Sequence, residues 1–313
     1  MRNYYERGVK SVNDMSTLRY LLHVSDFHLT EDKATKDHAR AALDAVVNKL
    51  KTSEIHIDYL VHTGDIIDSS DIYYKIAKEN PEFKKYIKAD KDENGKRIFV
   101  FDNNSFISQA TPGEKTEFDK LVKKKMETRF ESAVEVLRDF ISKLNVAPGN
   151  IAICCGNHDV LRPFSININD VRCKKNNDDS WKYTCPKLAE GIFTPFESFL
   201  DELNVANSRS RCGATKPVSY CMIGNLSVFI LNTNWINHSK QKAGYYCVNC
   251  EHANAVLENL NSDKWQHRDT LNIVLAHKPL YEICENPRLP YKRYIETPFM
   301  SNSLLSETAT SLI

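Results

Sequence analysis

Three short apolar runs in this chain each end in a loop that carries acidic, amide or histidine side chains. The runs and their loops are residues 19–24 with 25–28, residues 59–62 with 63–65, and residues 151–155 with 156–159. A fourth run, residues 271–276, leads into His277. Apolar runs of this length, bounded by turn-forming residues, are typical of buried β-strands. The recurring pattern therefore predicts strands that present polar side chains at their carboxyl ends.

The segment between the first two runs has the spacing of an amphipathic helix. The apolar residues that recur at this spacing are Ala39, Ala42, Val46 and Leu50. They lie on one helical face, and a succession of strand, helix and strand favours a parallel α/β sheet. Ligands of such sheets bind beyond the carboxyl ends of the strands. We therefore expect the polar side chains at the four strand ends to converge on one cleft.

The residue types at these strand ends are those that bind divalent metal ions. Carboxylates and imidazoles together suit first-row divalent ions, and a carboxylate can bridge two ions through its two oxygens. Asp65, at the end of the second run, is the candidate for this bridge. The other candidates at the strand ends are Asp26, His28, Asn157, His158 and His277.

Composition excludes several other classes of protein. A chain of 313 residues with 42% apolar content can bury a full core. The net charge of +1 gives the whole molecule no attraction to nucleic acid or to anionic membranes. Residues 1–25 have the pattern of neither a signal peptide nor a membrane-spanning helix. We therefore expect a soluble protein. Nine cysteines is an odd number, and the chain is too large to need disulfides, so we expect the protein in the reducing cytoplasm.

Residues 71–145 are interpreted as a partly helical insert within a single domain that spans residues 1–313. Residues 92–95, Asp-Glu-Asn-Gly, have the composition of a hairpin turn. The helical part carries an apolar stripe typical of core packing. The stripe consists of Phe118, Val122, Met126, Phe130, Val134, Leu137, Ile141 and Leu144. The lysine-rich first part is interpreted as a solvated surface, with attraction of an anionic ligand as the alternative.

The order of the motifs resembles that of the calcineurin-like metallophosphoesterases. The motifs are Asp26-Phe27-His28, Gly64-Asp65, Gly156-Asn157-His158-Asp159 and Ala276-His277. The resemblance covers about residues 19–281. It implies a four-layer α/β sandwich of two mixed sheets flanked by helices. It also implies a metal-dependent phosphoesterase that hydrolyses a phosphomonoester or phosphodiester.

The resemblance further implies a role for each matched residue. The implied ligands are Asp26 and His28 for a first metal ion, Asn157 and His277 for a second, and Asp65 as the bridge. His158 would donate a proton to the leaving oxygen, and Asp159 would orient His158 through a hydrogen bond. A hydroxide held between the ions would be the nucleophile. Mn, Fe, Zn and Mg all suit such mixed ligands, so the identity of the two ions stays open.

The chain departs from this family at its C-terminus. The family ends in a Gly-His-x-His motif that completes both metal shells, whereas no histidine follows His277. Three accounts are open: truncation before that strand, ligands supplied by a partner, or weakened metal binding. The leucines near the end of the chain have the spacing of a starting helix, which favours truncation with the C-terminal strands missing.

Two other functions remain as alternatives to the phosphoesterase. A non-catalytic phosphate- or nucleotide-binding module with a degraded metal site would bind its ligand without turnover. A nuclease similar to the DNA-repair enzymes that share these motifs would bind DNA with a steep salt dependence, although the net charge does not indicate nucleic acid. The sequence does not define the oligomeric state.

Several further residues have weaker signals. Arg162 is interpreted as a surface ion-pair residue, with a contact to a substrate phosphate as the alternative. His23 and His62 are more typical of buried structural histidines than of residues that support the ligands. Cys247 and Cys250 have zinc-ligand spacing, but the second pair that a structural zinc site needs is missing.

Overall fold

The computed structural model describes residues 19–165, 173–175, 181–183, 191–209, 218–232, 234 and 271–277. These residues combine helices and strands in a mixed α/β fold. The strands are β1 Leu21–Val24, β2 Tyr59–His62, β3 Ile87–Lys91, β4 Arg97–Phe101, β5 Ile151–Ile153, β6 Cys173–Lys175, β7 Trp181–Tyr183, β8 Val218–Ile223, β9 Leu226–Leu231 and β10 Leu271–Ala276. The α-helices are α1 Lys33–Thr52, α2 Ile72–Glu79, α3 Asn103–Gln109, α4 Pro112–Leu144 and α5 Thr194–Leu203.

The first sheet contains the three strands that the first three apolar runs predict. Its order is β1-β2-β5, and both neighbouring pairs are parallel. The helix α1 connects β1 to β2, so the predicted strand, helix and strand succession is confirmed. Because all three strands run in one direction, the loops that follow them meet at the same edge of the sheet.

The second sheet has the order β10-β9-β8 and is mixed. β10 pairs with β9 in parallel, whereas β8 pairs with β9 antiparallel. The strand predicted at residues 271–276 is thereby confirmed. Since β10 belongs to this second sheet, His277 approaches the site from a different sheet than the other predicted ligands.

Two hydrophobic clusters separate the layers of the fold. In one cluster, Tyr59 and Val61 of β2 join Val228 and Ile230 of β9, so the two sheets pack face to face. Leu60, whose side chain points to the opposite face of β2, belongs to the other cluster together with residues of α1, α4 and α5. The described residues therefore form three layers: helices, first sheet and second sheet.

Helix α4 carries the predicted apolar stripe. Thr111 and Glu114 form a capping box at its start, since each side chain accepts a hydrogen bond from the backbone N–H of the other. Asn145 ends the helix in the left-handed conformation, with φ of 57°. The stripe is buried apart from the half-buried Ile141, so the prediction of core packing is confirmed. Arg129, which the stripe did not indicate, is also fully buried.

The residues before α4 pack against it through aromatic rings. The predicted hairpin is confirmed, because β3 and β4 pair antiparallel across a turn that includes Gly95 with φ of 76°. The ring centroids of Phe101 and Phe106 both lie 4.8 Å from that of Phe118 on α4. The Cys247–Cys250 pair and the leucines near the end of the chain lie outside the described residues. Among the described helices, none has the length and apolar character needed to cross a bilayer.

Candidate metal centre

The loops that follow β1 and β2 run side by side. Asp26 N–H donates to Gly64 O at 3.0 Å, and His28 N–H donates to Asp65 O at 3.0 Å. Leu29 then forms an isolated parallel bridge with Ile67. These backbone bonds hold Asp26, His28 and Asp65 on two adjoining loops.

The backbone of these loops is strained at the predicted ligands. Asp26, His28 and Asp65 have φ of 57°, 46° and 54°. The left-handed region costs a residue with a side chain about 1–2 kcal/mol, and such conformations concentrate at functional sites. The loops therefore turn the two carboxylates and the imidazole to one place at a cost in stability.

Two glycines allow the third loop, after β5, to approach the second. A Cβ on Gly156 would lie 2.0 Å from Asp65 N and 2.2 Å from Asp65 Oδ1. A Cβ on Gly64 would lie 2.5 Å from Gly156 N. Real Cβ atoms do not come this close to other atoms, so only glycine fits at both positions. The close approach of the two loops therefore explains why the Gly-Asn-His-Asp motif begins with glycine.

Asp26, His28 and Asp65 form a first group of candidate metal-ligand atoms. His28 Nε2 lies 3.8 Å from Asp26 Oδ1 and 3.9 Å from Asp65 Oδ2, and the donor atoms all lie within 4.8 Å of one another. Two donors that each lie about 2.0–2.2 Å from one ion are at most about 4.4 Å apart. The two measured separations from His28 therefore fit ligands of a common ion.

The second oxygen of Asp65 faces a second group. His277 Nε2 lies 3.5 Å from Asp65 Oδ1 and 3.0 Å from Asn157 Oδ1. His277 Nδ1 lies 2.9 Å from the carbonyl oxygen of Thr63. A carbonyl oxygen accepts only, so Nδ1 donates to Thr63, and Nε2 is the ring nitrogen that faces Asp65 and Asn157. The structure thus brings together all five residues predicted as ligands.

His158 lies beside the first group. Its ring is edge-to-face with that of His28, at a centroid distance of 4.9 Å. Its Nδ1 lies 3.4 Å from Asp68 Oδ1 and 3.2 Å from the backbone N–H of Ser69. Asp68 raises the pKa of His158, because a carboxylate stabilises the imidazolium form.

Sequence reasoning missed Asp68, whose partner lies 90 positions away in the chain. The same pairing lowers the pKa of Asp68. Donor atoms of His28, Asp68 and His158 also lie within 4.8 Å of one another. Only the position of Asp68 in the polar loop after β2 could have suggested it.

The structure contradicts the hydrogen bond expected from Asp159 to His158. The Asp159 carboxylate is fully buried and accepts from Gly156 N at 2.8 Å, Ile66 N at 3.0 Å and Ile67 N at 3.2 Å. These three backbone donors tie the loop after β5 to the loop after β2 through the Asp159 carboxylate. Burial raises the pKa of Asp159 to about 7. The carboxylate that faces His158 is Asp68.

The three residues with weaker signals each form hydrogen bonds near the site. His62 is buried, which lowers the pKa of its imidazole to about 3, and its Nδ1 accepts a hydrogen bond from Gly64 N–H. His23 Nε2 lies 2.9 Å from Thr63 Oγ1. The interpretation as a buried structural histidine is therefore confirmed for His62, whereas His23 is hydrogen-bonded but only half-buried. Arg162 Nη2 donates to the carbonyl of Asn157 at 3.0 Å, so this residue supports the motif loop.

Comparison with known proteins agrees with this geometry over part of the chain. No curated protein matches the chain. The family model for the calcineurin-like phosphoesterase matches residues 20–101, which run from the start of β1 to the end of β4 and include Asp26, His28 and Asp65. The resemblance inferred from the motifs is therefore confirmed over residues 20–101, where the chain matches the calcineurin-like phosphoesterase family.

Proposed function

We propose that this chain is a metal-dependent phosphoesterase that hydrolyses a phosphomonoester or phosphodiester. The observation that carries the proposal is the position of the Asp65 carboxylate. One of its oxygens lies 3.9 Å from His28 Nε2, and the other lies 3.5 Å from His277 Nε2. A carboxylate between two sets of donors is the arrangement that a two-metal site requires. The family match over residues 20–101 supports the same reaction class.

The donor set suits two divalent ions. The proposed ligands are Asp26, His28 and Asp65 for one ion, and Asp65, Asn157 and His277 for the other. Mn, Fe, Zn and Mg are all compatible with these nitrogen and oxygen donors. When bound, such ions lower the pKa of a bound water and neutralise negative charge on a phosphate group.

His158 is the proposed proton donor. In hydrolysis, the oxygen of water forms a new bond to phosphorus while the bond from phosphorus to the leaving oxygen breaks. His158 gives its proton to that leaving oxygen, the attacking water loses a proton to solvent, and His158 then regains a proton from solvent. Asp68 acts as a positioning residue, because its carboxylate faces Nδ1 and leaves the other ring nitrogen for the substrate.

The expected fold and location extend this proposal. A helical layer on the outer face of the second sheet would complete the four-layer sandwich. A cytoplasmic location is supported by Cys154, Cys155 and Cys221, which are buried and free. Within the described residues, nothing favours a nuclease or a binding module without turnover over the phosphoesterase.

The test is Mn-dependent hydrolysis of a chromogenic phosphodiester by the chain and by Asp65→Asn. Asparagine keeps the shape of the side chain but loses the charge and one of the two metal-binding oxygens. We expect turnover of the wild type and a loss of at least about 100-fold in the variant. Mn binding measured by calorimetry should weaken in parallel.

Asp139→Asn is the matched control. Asp139 is a residue of α4 whose side chain is 44% exposed and pairs with Lys143, so this variant should keep both turnover and Mn binding. Wild-type turnover in Asp65→Asn, or Mn binding that is equal in both variants, would contradict the proposed bridge.

A further inference from the structure

A pocket opens beside the proposed proton donor. It has a volume of about 270 Å³ and lies between α2, α4 and the loops after β2 and β5. Its polar lining residues include Ser69, His158 and Arg162, which are half-buried. Its apolar lining residues include Ile72, Val122 and Met126, which are at most 3% exposed. The pocket therefore has an apolar bottom and a polar mouth.

The location of the pocket determines which part of a substrate it faces. His158, the proposed donor to the leaving oxygen, is itself a lining residue. The alcohol that leaves is attached to the oxygen that His158 protonates, so it extends from phosphorus toward this side of the site. The residues that close the bottom, Val122 and Met126, belong to α4 and lie beyond residues 20–101.

The size and lining of the pocket restrict the alcohol further. A dry apolar cavity of about 150 Å³ is large enough for benzene, whereas pockets for larger ligands range from about 300 to 1,000 Å³. The bottom offers no charged group, so burying an ionised substituent there would be unfavourable. A single aromatic ring or a short branched apolar chain fits both the volume of the pocket and its uncharged bottom.

We propose that this pocket binds the leaving alcohol of the substrate and selects phosphate esters of alcohols that carry one aromatic ring or a short branched apolar group. The inference rests on the proposed function for the orientation of the substrate. The phosphate lies at the metal centre, the leaving oxygen lies at His158, and the apolar group of the alcohol extends toward Val122 and Met126.

The test compares the affinities of benzylphosphonate and methylphosphonate, measured by calorimetry in the presence of Mn. Hydrolysis cannot cleave either compound, because carbon replaces the leaving oxygen. We expect benzylphosphonate to bind at least about tenfold more tightly, because its ring leaves water for an apolar pocket. Val122→Phe fills the pocket and should remove this preference while leaving the affinity for methylphosphonate unchanged. Met126→Ala, which enlarges the pocket, serves as a second variant and should shift the preference toward a naphthylmethyl analogue.

Val134→Phe is the matched control, since Val134 is an equally buried residue of α4 outside the pocket lining. It should keep the benzyl preference if it folds, which thermal melting checks for every variant. Equal affinities for the two phosphonates, or a benzyl preference that persists in Val122→Phe and is unchanged in Met126→Ala, would overturn the proposal.

Hydrolysis tests the proposed function separately. Benzyl phosphate and methyl phosphate release alcohols of similar basicity, so a difference in kcat/KM between them reports binding rather than leaving-group reactivity. Absence of turnover with both esters counts against the phosphoesterase. A benzyl preference in phosphonate binding would still support the pocket in that case.

Discussion

At the residue scale, the site depends on side chains that the backbone holds in unfavourable conformations. Asp26, His28 and Asp65 all lie in the left-handed region, where each costs about 1–2 kcal/mol. The backbone bonds between the two loops and the buried Asp159 carboxylate hold them there. These bonds therefore fix the directions in which the two loops present the Asp26 and Asp65 carboxylates and the His28 imidazole.

Gly156→Ala should disturb this arrangement. The new Cβ would overlap the backbone and carboxylate of Asp65, so the loop after β5 must move away. We expect a loss of about 1–3 kcal/mol in the free energy of unfolding and an Mn affinity at least about tenfold lower. Urea denaturation and Mn titration measure the two effects. Gly149→Ala, where a Cβ meets no atom within 4 Å, is the control, and an equal effect in both variants would refute this steric argument.

At the element scale, α4 is tied to the loops of the site through a buried arginine. Arg129 Nε donates to Glu31 Oε2 at 2.7 Å, and Arg129 also donates to the carbonyl of Asp68. Its Nη2 lies 2.7 Å from Asp71 Oδ1, in an orientation that suits an ion pair rather than a hydrogen bond. The helix therefore fixes the loop after β2, whose Asp68 faces His158.

The contribution of this network to stability should depend on pH. Burial alone would raise the pKa of Glu31, but a backbone hydrogen bond and Arg129 outweigh it and lower the pKa from 4.5 to about 2. A lowered pKa stabilises the fold at a pH above the unfolded value, and the gain is lost as the pH falls toward the folded value. The wild type should have a higher free energy of unfolding than Glu31→Gln at pH 7. This difference should shrink by more than about half between pH 7 and pH 3.

Urea denaturation at several pH values measures that difference. Glu131→Gln, an exposed glutamate of α4, is the control and should show a smaller difference at every pH. A difference between wild type and Glu31→Gln that stays constant from pH 7 to pH 3 would show that the charge of Glu31 does not stabilise the fold.

At the scale of the whole molecule, the sequence indicated the strands and the strand ends that carry the proposed ligands, because burial and turn residues leave a local pattern. It did not indicate Arg129, since one arginine in an apolar stripe has no local signal of burial. The Asp159 role was wrong because adjacent side chains in a turn point in different directions, and the sequence does not show which one faces His158. Tertiary packing decides both the burial of Arg129 and the choice of Asp68 as the partner of His158, and the sequence leaves no local pattern for either.

The packing of the two sheets should control the second ligand group alone. His277 follows β10 of the second sheet, whereas Asp26, His28 and Asp65 follow strands of the first. Val228→Ala leaves a cavity between the sheets, at a residue that is 0% exposed, and should cost roughly 1–3 kcal/mol. Because His277 can then shift relative to Asp65, we expect Mn titration to show one weakened site and one unchanged site. Val134→Ala on α4 should cost a similar free energy and leave both sites unchanged, so equal weakening of both sites by Val228→Ala would contradict this division between the sheets.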